Sequence, residues 1–122
     1  MSPGEALARA GLAGAWQLVS CTMTHPDGRI EHPFGPEPRG LIAYTADGWM
    51  ACQMAGEPAG HSAYYGPVSV DEDGATVIHH VQGASHSRLS GDQLRRYRVS
   101  GDELLLSAQS GDSLVEVLWR RP

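Results

Sequence analysis

From about residue 15 onward, short stretches of alternating or apolar character are separated by glycine-containing turns. This period-two pattern predicts strands near 15–24, 39–46, 48–54, 64–70, 75–85, 93–99, 103–109 and 113–120, with a short extra one near 29–32. The punctuation is explicit: Pro26-Asp27-Gly28, Asp47-Gly48, Asp73-Gly74, Gly91-Asp92, Gly101-Asp102 and Gly111-Asp112. The N-terminus reads differently. Ser2-Pro3-Gly4-Glu5 supplies a serine cap, a proline at the first helical position and a glutamate placed to complete a capping box. A short helix is expected there, ending by Gly11 or Gly14. The whole chain, 1–122, thus reads as one all-β domain: an eight-stranded antiparallel up-and-down barrel with a short N-terminal helix. Closure removes the exposed edges that an open sheet would leave. At this strand number the interior either fills with side chains or holds one small ligand.

Alternation also predicts which residues face inward. In the last strand Glu116, Leu118 and Arg120 share one face, so Val115, Val117 and Trp119 share the inner one. In 103–109 the better inner row is Leu104, Leu106 and Ala108. Along 75–85, His79 shares a face with Val77 and Val81, while His80 lies on the other. In 93–99 the adjacent charges Arg96 and Arg98 fit water, which turns Arg95 and Tyr97 inward. Polar groups inside a barrel point to a cavity.

Composition narrows the chemistry. All 9 basic residues are arginine, so no lysine is available for a Schiff base or a P-loop. Asparagine is absent too, which removes any N-glycosylation acceptor. With 14 acidic residues, a formal net charge of −5 and scattered arginines, a nucleic-acid partner is not expected. No stretch reads as a signal peptide or reaches membrane-span length, so a cytoplasmic location without membrane contact is expected. Cys21 and Cys52, far apart and each in an apolar stretch, read as reduced core thiols.

Several segments together resemble the small bacterial and fungal lipocalin-like domain family. They are Leu12-Ala13-Gly14-Ala15-Trp16-Gln17, with Gly14 and Trp16 matching the family's opening G-x-W; His32-Pro33-Phe34-Gly35 through Gly40-Leu41-Ile42-Ala43-Tyr44; and Asp47-Gly48-Trp49-Met50. Further on come Ala63-Tyr64-Tyr65-Gly66-Pro67, Val77-Ile78-His79-His80-Val81 and Arg95-Arg96-Tyr97 with Gly101-Asp102-Glu103-Leu104. The resemblance implies an eight-stranded barrel. It also implies a choice of roles, since some relatives are simple binders and others resemble small cyclases of polyketide pathways, including cycloaddition proteins. The segment 55–62 departs from the family, which usually carries a longer and often helical insertion there. Its loss would open the cavity or be balanced by homodimerisation.

Few residues are left to carry chemistry. His79 and His80 point to opposite faces and cannot chelate one metal together, and no second ligand set stands out, so no metal is expected. An inward His79 is a candidate hydrogen-bond donor or general base. An inward Arg95 needs a carboxylate, carbonyls or a ligand oxygen, and Tyr97 shares its face. Tyr44, Trp49, Met50, Met54, Tyr64 and Trp119 suit a shaped apolar pocket. No nucleophile elbow or phosphate cradle is present. The expected function is therefore a cofactor-independent cyclase folding a hydrophobic, polyketide-derived polyene for pericyclic ring closure by confinement. In it His79, Arg95 and Tyr97 would supply the hydrogen bonds. The alternative is a non-catalytic carrier of a small lipophilic metabolite.

Overall fold

The computed structural model describes residues 1–122. Helix α1 (Pro3–Arg9) begins at the expected capping box: the Glu5 N–H donates to the Ser2 hydroxyl at 3.1 Å, and the Ser2 N–H donates to the Glu5 carboxylate at 3.0 Å. The strands are β1 (Gly14–Thr24), β2 (Ile30–Glu31), β3 (Arg39–Tyr44), β4 (Trp49–Gly56), β5 (Gly60–Asp71), β6 (Thr76–Val81) and β7 (Gly83–Ala84). After a single 3-10 turn, Ser87–Leu89, come β8 (Gly91–Ser100), β9 (Glu103–Ser110) and β10 (Ser113–Arg120). Every pairing is antiparallel. The path β1-β3-β4-β5-β6-β8-β9-β10 returns from β10 to β1, which closes an eight-stranded barrel. The two-residue strands β2 and β7 are appendages on β1 and β5. No helix is long and apolar enough to cross a membrane.

Two irregularities depart from the sequence pattern. The predicted strand 75–85 breaks in two, because Val68 pairs with His79 whereas Tyr65 pairs with Gly83. Between these pairs two residues on β5, Gly66 and Pro67, thus face three on the partner, and the last of these, Gln82, falls between β6 and β7. The approach is close enough that a Cβ on Gly66 would fall on the His80 carbonyl oxygen. The second is a bulge in β1. Leu18 pairs with Trp119 and Ser20 with Leu118, leaving Val19 extra. The inner row Trp16–Leu18 therefore resumes at Cys21 rather than at Ser20.

One end of the barrel is sealed. Leu7 of α1 and Leu12 after it are fully buried against a floor of Trp16, Met50, Leu104 and Trp119. The helix can lie this close because Gly4 sits on the Ala46 carbonyl, where any side chain would collide. Arg121 fastens the seal. Its guanidinium carbon lies 3.5 Å from the Trp16 ring centroid. Its amines donate to the carbonyls of Ala13 at 2.9 Å, Gly11 at 3.2 Å and Ala15 at 3.4 Å. The Trp16 indole N–H in turn donates to Leu12 O at 2.9 Å.

Removing this clamp strands half-buried carbonyls and uncovers an indole face. Arg121→Ala is expected to lower the unfolding free energy by about 2–3 kcal/mol, measured from the urea midpoint. Arg121→Lys recovers less than half of that loss, because an ammonium cannot fork across several carbonyls. An unchanged midpoint for Arg121→Ala would refute the clamp.

Candidate functional site

The other end of the barrel is open. A cavity of about 480 Å³ fills that half, and its inner wall is mostly apolar: Cys21, Ile42, Cys52, Met54, Leu106 and Trp119. Phe34 from the β2–β3 connection and Leu89 from the 3-10 turn flank the mouth. The connection is held there because the Ala59 N–H donates to Pro33 O at 2.8 Å, and because Gly56 and Gly35 let the two loops touch. Strand alternation gives this wall its character, since β4, β9 and β10 each send an apolar row inward.

At the bottom of the cavity lies a polar chain. His79 of β6 is fully buried between two tyrosines. Tyr44 Oη lies 2.7 Å from His79 Nε2, and Tyr64 Oη lies 3.0 Å from His79 Nδ1. The Tyr44 hydroxyl is buried, and this is its one hydrogen bond, so its proton must go to Nε2. A neutral imidazole then carries its hydrogen on Nδ1 and donates it to Tyr64. The Tyr64 oxygen is thereby occupied as an acceptor, and its own O–H is free to donate into the cavity that Tyr64 lines. Burial, the Arg95 charge and His80 lower the His79 pKa from 6.5 to about 3, while burial raises both tyrosines well above their ordinary range. At neutral pH the chain is therefore uncharged. This corrects the expectation of His79 as a general base: both ring nitrogens are engaged, and the ring positions Tyr64 instead.

Arg95 does face inward and lines the cavity. It donates to Gln93 Oε1 at 3.3 Å and to the Leu94 carbonyl at 3.0 Å, and its guanidinium sits beside the Tyr64 hydroxyl. Gln93 is itself tied to the 3-10 turn through the carbonyls of Leu89 and Ser90, each at 3.3 Å. No carboxylate pairs with Arg95.

The remaining predicted residues divide. Met54 and Trp119 line the cavity with Tyr64 and Arg95. Tyr44 lies behind them as the partner of His79. Met50 faces inward but is packed into the sealed half, away from the cavity. Trp49 is on the wrong face: it opposes Pro67 on the outside of the barrel and is 39% exposed. The turn glycine before it gave no clue to its phase, whereas Met50, Cys52 and Met54 form the buried row. Tyr97 lies on the inner side of β8 but toward the sealed end. Burial and the nearby Glu72 and Asp71 raise its pKa, so its hydroxyl belongs to the acidic turn and not to the cavity. Cys21 and Cys52 are free, and burial pushes their thiols up to about 11 and about 12. They are apolar wall, not nucleophiles.

Sequence reading missed Gln93, whose amide orients Arg95, and Arg88 at the mouth. Gln93 shares a period-two face with Arg95, which was the available signal. His80 points outward, bridging Ser69 at 2.7 Å and Asp92 at 2.8 Å. Near the β9–β10 turn, Ser113 Oγ lies 2.8 Å from His25 Nδ1, and His25 Nε2 lies 2.6 Å from Glu31. Those three have the composition of a hydrolytic triad, but Ser113 is buried and outside the cavity wall, so they serve as a tie between β2 and the β9–β10 hairpin. No group of three or more His, Cys, Asp or Glu side chains comes together to hold a metal ion.

The low pKa of His79 has a stability consequence. Between pH 6.5 and 3 the unfolded chain binds a proton at this position that the folded chain refuses, so stability falls as pH drops through that window. Above pH 6.5 the contribution is complete and constant. Relative to His79→Gln, which keeps an amide donor and acceptor without titrating, the wild type should lose roughly 2–3 kcal/mol between pH 7 and pH 4. Parallel stability–pH curves for the two proteins, from urea titrations, would contradict the assignment.

Comparison with known proteins agrees with this architecture. A model of the lipocalin-like domain family matches residues 13–61, from the loop before β1 into the start of β5. A lipocalin-like protein from Bacteroides uniformis superposes with a TM-score of 0.57 at 16% identity, covering 91% of this chain and 98% of that one. An uncharacterized protein from Bacteroides eggerthii gives 0.53 at 10% identity, covering 90% and 98%. A redesigned β-barrel gives 0.51 at 15% identity, covering 98% and 95%. No curated protein matches the chain. At these identities the structural likeness establishes the fold alone: a closed, eight-stranded lipocalin-like barrel, with the sequence likeness concentrated in its first half.

Proposed function

We propose that the open half of the barrel binds one small lipophilic molecule and orients it through an oxygen placed on Tyr64. The observation that carries this reading is the directed chain Tyr44–His79–Tyr64, which ends in a free hydroxyl donor at the floor of an apolar cavity. A volume of about 480 Å³ lies within the range of small-molecule sites, and a few convergent polar groups in an apolar wall are their usual composition. A merely structural barrel has no need of a polar chain aimed at an empty space.

The same arrangement supports catalysis by confinement, in a cofactor-independent cyclase acting on a polyene of polyketide type. Cycloaddition requires a folded conformer, is accelerated when a conjugated carbonyl is polarised, and needs no base or nucleophile. The wall supplies shape, worth up to roughly 7–11 kcal/mol in the best intramolecular cases. Tyr64, fixed by His79 and beside Arg95, supplies hydrogen bonding to a carbonyl whose charge grows in the transition state. Carriage of the ligand without reaction would use the same wall and the same donor.

The neutral fluorophore N-phenyl-1-naphthylamine tests the shared claim. Ala108→Trp, which puts an indole into the cavity from β9, should weaken its binding at least tenfold while leaving the far-ultraviolet dichroism unchanged. Binding that survives this substitution would place the probe elsewhere and defeat the reading. Linear polyenes carrying a diene and a conjugated carbonyl then separate the two forms. In a cyclase, Tyr64→Phe slows the loss of diene absorbance about a hundredfold, with fluorophore binding retained. In a carrier, wild type and variant give the same rate as buffer.

A further inference from the structure

The cavity is charged oppositely to the protein that contains it. The chain carries a formal net charge of −5. Yet the residues around the cavity include Arg88 and Arg95 and not one aspartate or glutamate. Both arginines stay out of every ion pair in the molecule, although the other pairs show that acids are at hand on the surface. An inward guanidinium without a counter-ion is costly to keep in an apolar wall. The protein nevertheless builds a support for it: the 3-10 turn holds Gln93, and Gln93 holds Arg95. That support leaves part of the guanidinium fork unused, beside the Tyr64 hydroxyl.

We propose that the ligand is an amphiphile bearing an anionic oxygen group, a carboxylate or an equally acidic enolate, which docks on Arg95 and Tyr64. Its apolar part lies along Cys21, Met54, Leu106 and Trp119. The assignment rests on the binding reading above and adds the charge of the ligand to it. Arg95 offers a planar fork suited to two oxygens, and the Tyr64 O–H adds a neutral donor to one of them. Arg88, at the mouth, attracts the anion on entry against the overall negative charge of the protein. The preference for an anion is thus local, built by two side chains within a surface field that would repel it.

Two probes with one chromophore test this on the whole protein. 1-Anilinonaphthalene-8-sulfonate carries a permanent negative charge, and N-phenyl-1-naphthylamine is its uncharged relative. The sulfonate should bind at least tenfold more tightly at low salt, a margin that shrinks as sodium chloride is added. Arg95→Met should abolish the advantage of the sulfonate, so that the two probes bind this variant with equal affinity. Because Arg95→Met removes an uncompensated inward charge, its urea midpoint should equal or exceed that of the wild type. An independent comparison needs no variant: dodecanoate should displace the bound fluorophore at least tenfold more effectively than dodecanol. Equal binding of both fluorophores, with dodecanol as good as dodecanoate, would overturn the anionic assignment and leave lipophilic binding standing. Failure of both fluorophores to bind would remove both readings together.

Discussion

The barrel depends on joining its first strand to its last, and the chain secures that joint with Arg121. Hydrogen bonds between β1 and β10 close the sheet, but they also bring both termini to one end, where carbonyls and an indole face would otherwise meet water. The guanidinium answers both needs, since its plane covers Trp16 and its edge donates to three carbonyls of the segment entering β1. With that end fixed, α1 can lie across it, and Leu7 and Leu12 complete the floor. The sealed half then packs beneath a buried imidazole, whose orientation is set by Tyr44 and Tyr64.

A division of labour follows along the barrel axis. Below His79 the interior is packed with rings and aliphatic chains. Above it the rows continue with smaller or more flexible groups, such as Cys21, Cys52 and Ala108, and space opens between them. The imidazole sits at the boundary, kept neutral by burial and by the neighbouring Arg95 charge. It converts the buried Tyr44 hydroxyl, which has nowhere else to donate, into a fixed direction for Tyr64. The polar floor is therefore a product of packing below as much as of chemistry above.

Much of this was legible in the sequence because the turns carry their own chemistry. Asp-Gly and Gly-Asp pairs marked the hairpins, and the capping box marked α1. Period two placed Arg95, Trp119, Leu104 and Leu106 on the inner face correctly. It failed where one extra residue resets the phase. Val19 shifts β1 so that Cys21 faces in, and the break at Gln82 divides what reads as one strand. Trp49 was misplaced for a related reason, because a strand beginning at a turn has no preceding residues to fix its phase. The Tyr44–His79–Tyr64 chain joins three strands, and spacing along one chain carries no signal for it.

The seal formed by α1 also decides traffic. A barrel stopped at one end has a single doorway, so whatever enters must turn back and leave past Phe34 and Leu89. Occupant and newcomer compete for the same passage, and the second cannot advance until the first has gone. The group that entered first is the last to depart. Under the binding proposed for it, a molecule handed onward from this cavity would have to be collected at the mouth, and in the cyclase form a product would block the next turnover until its release.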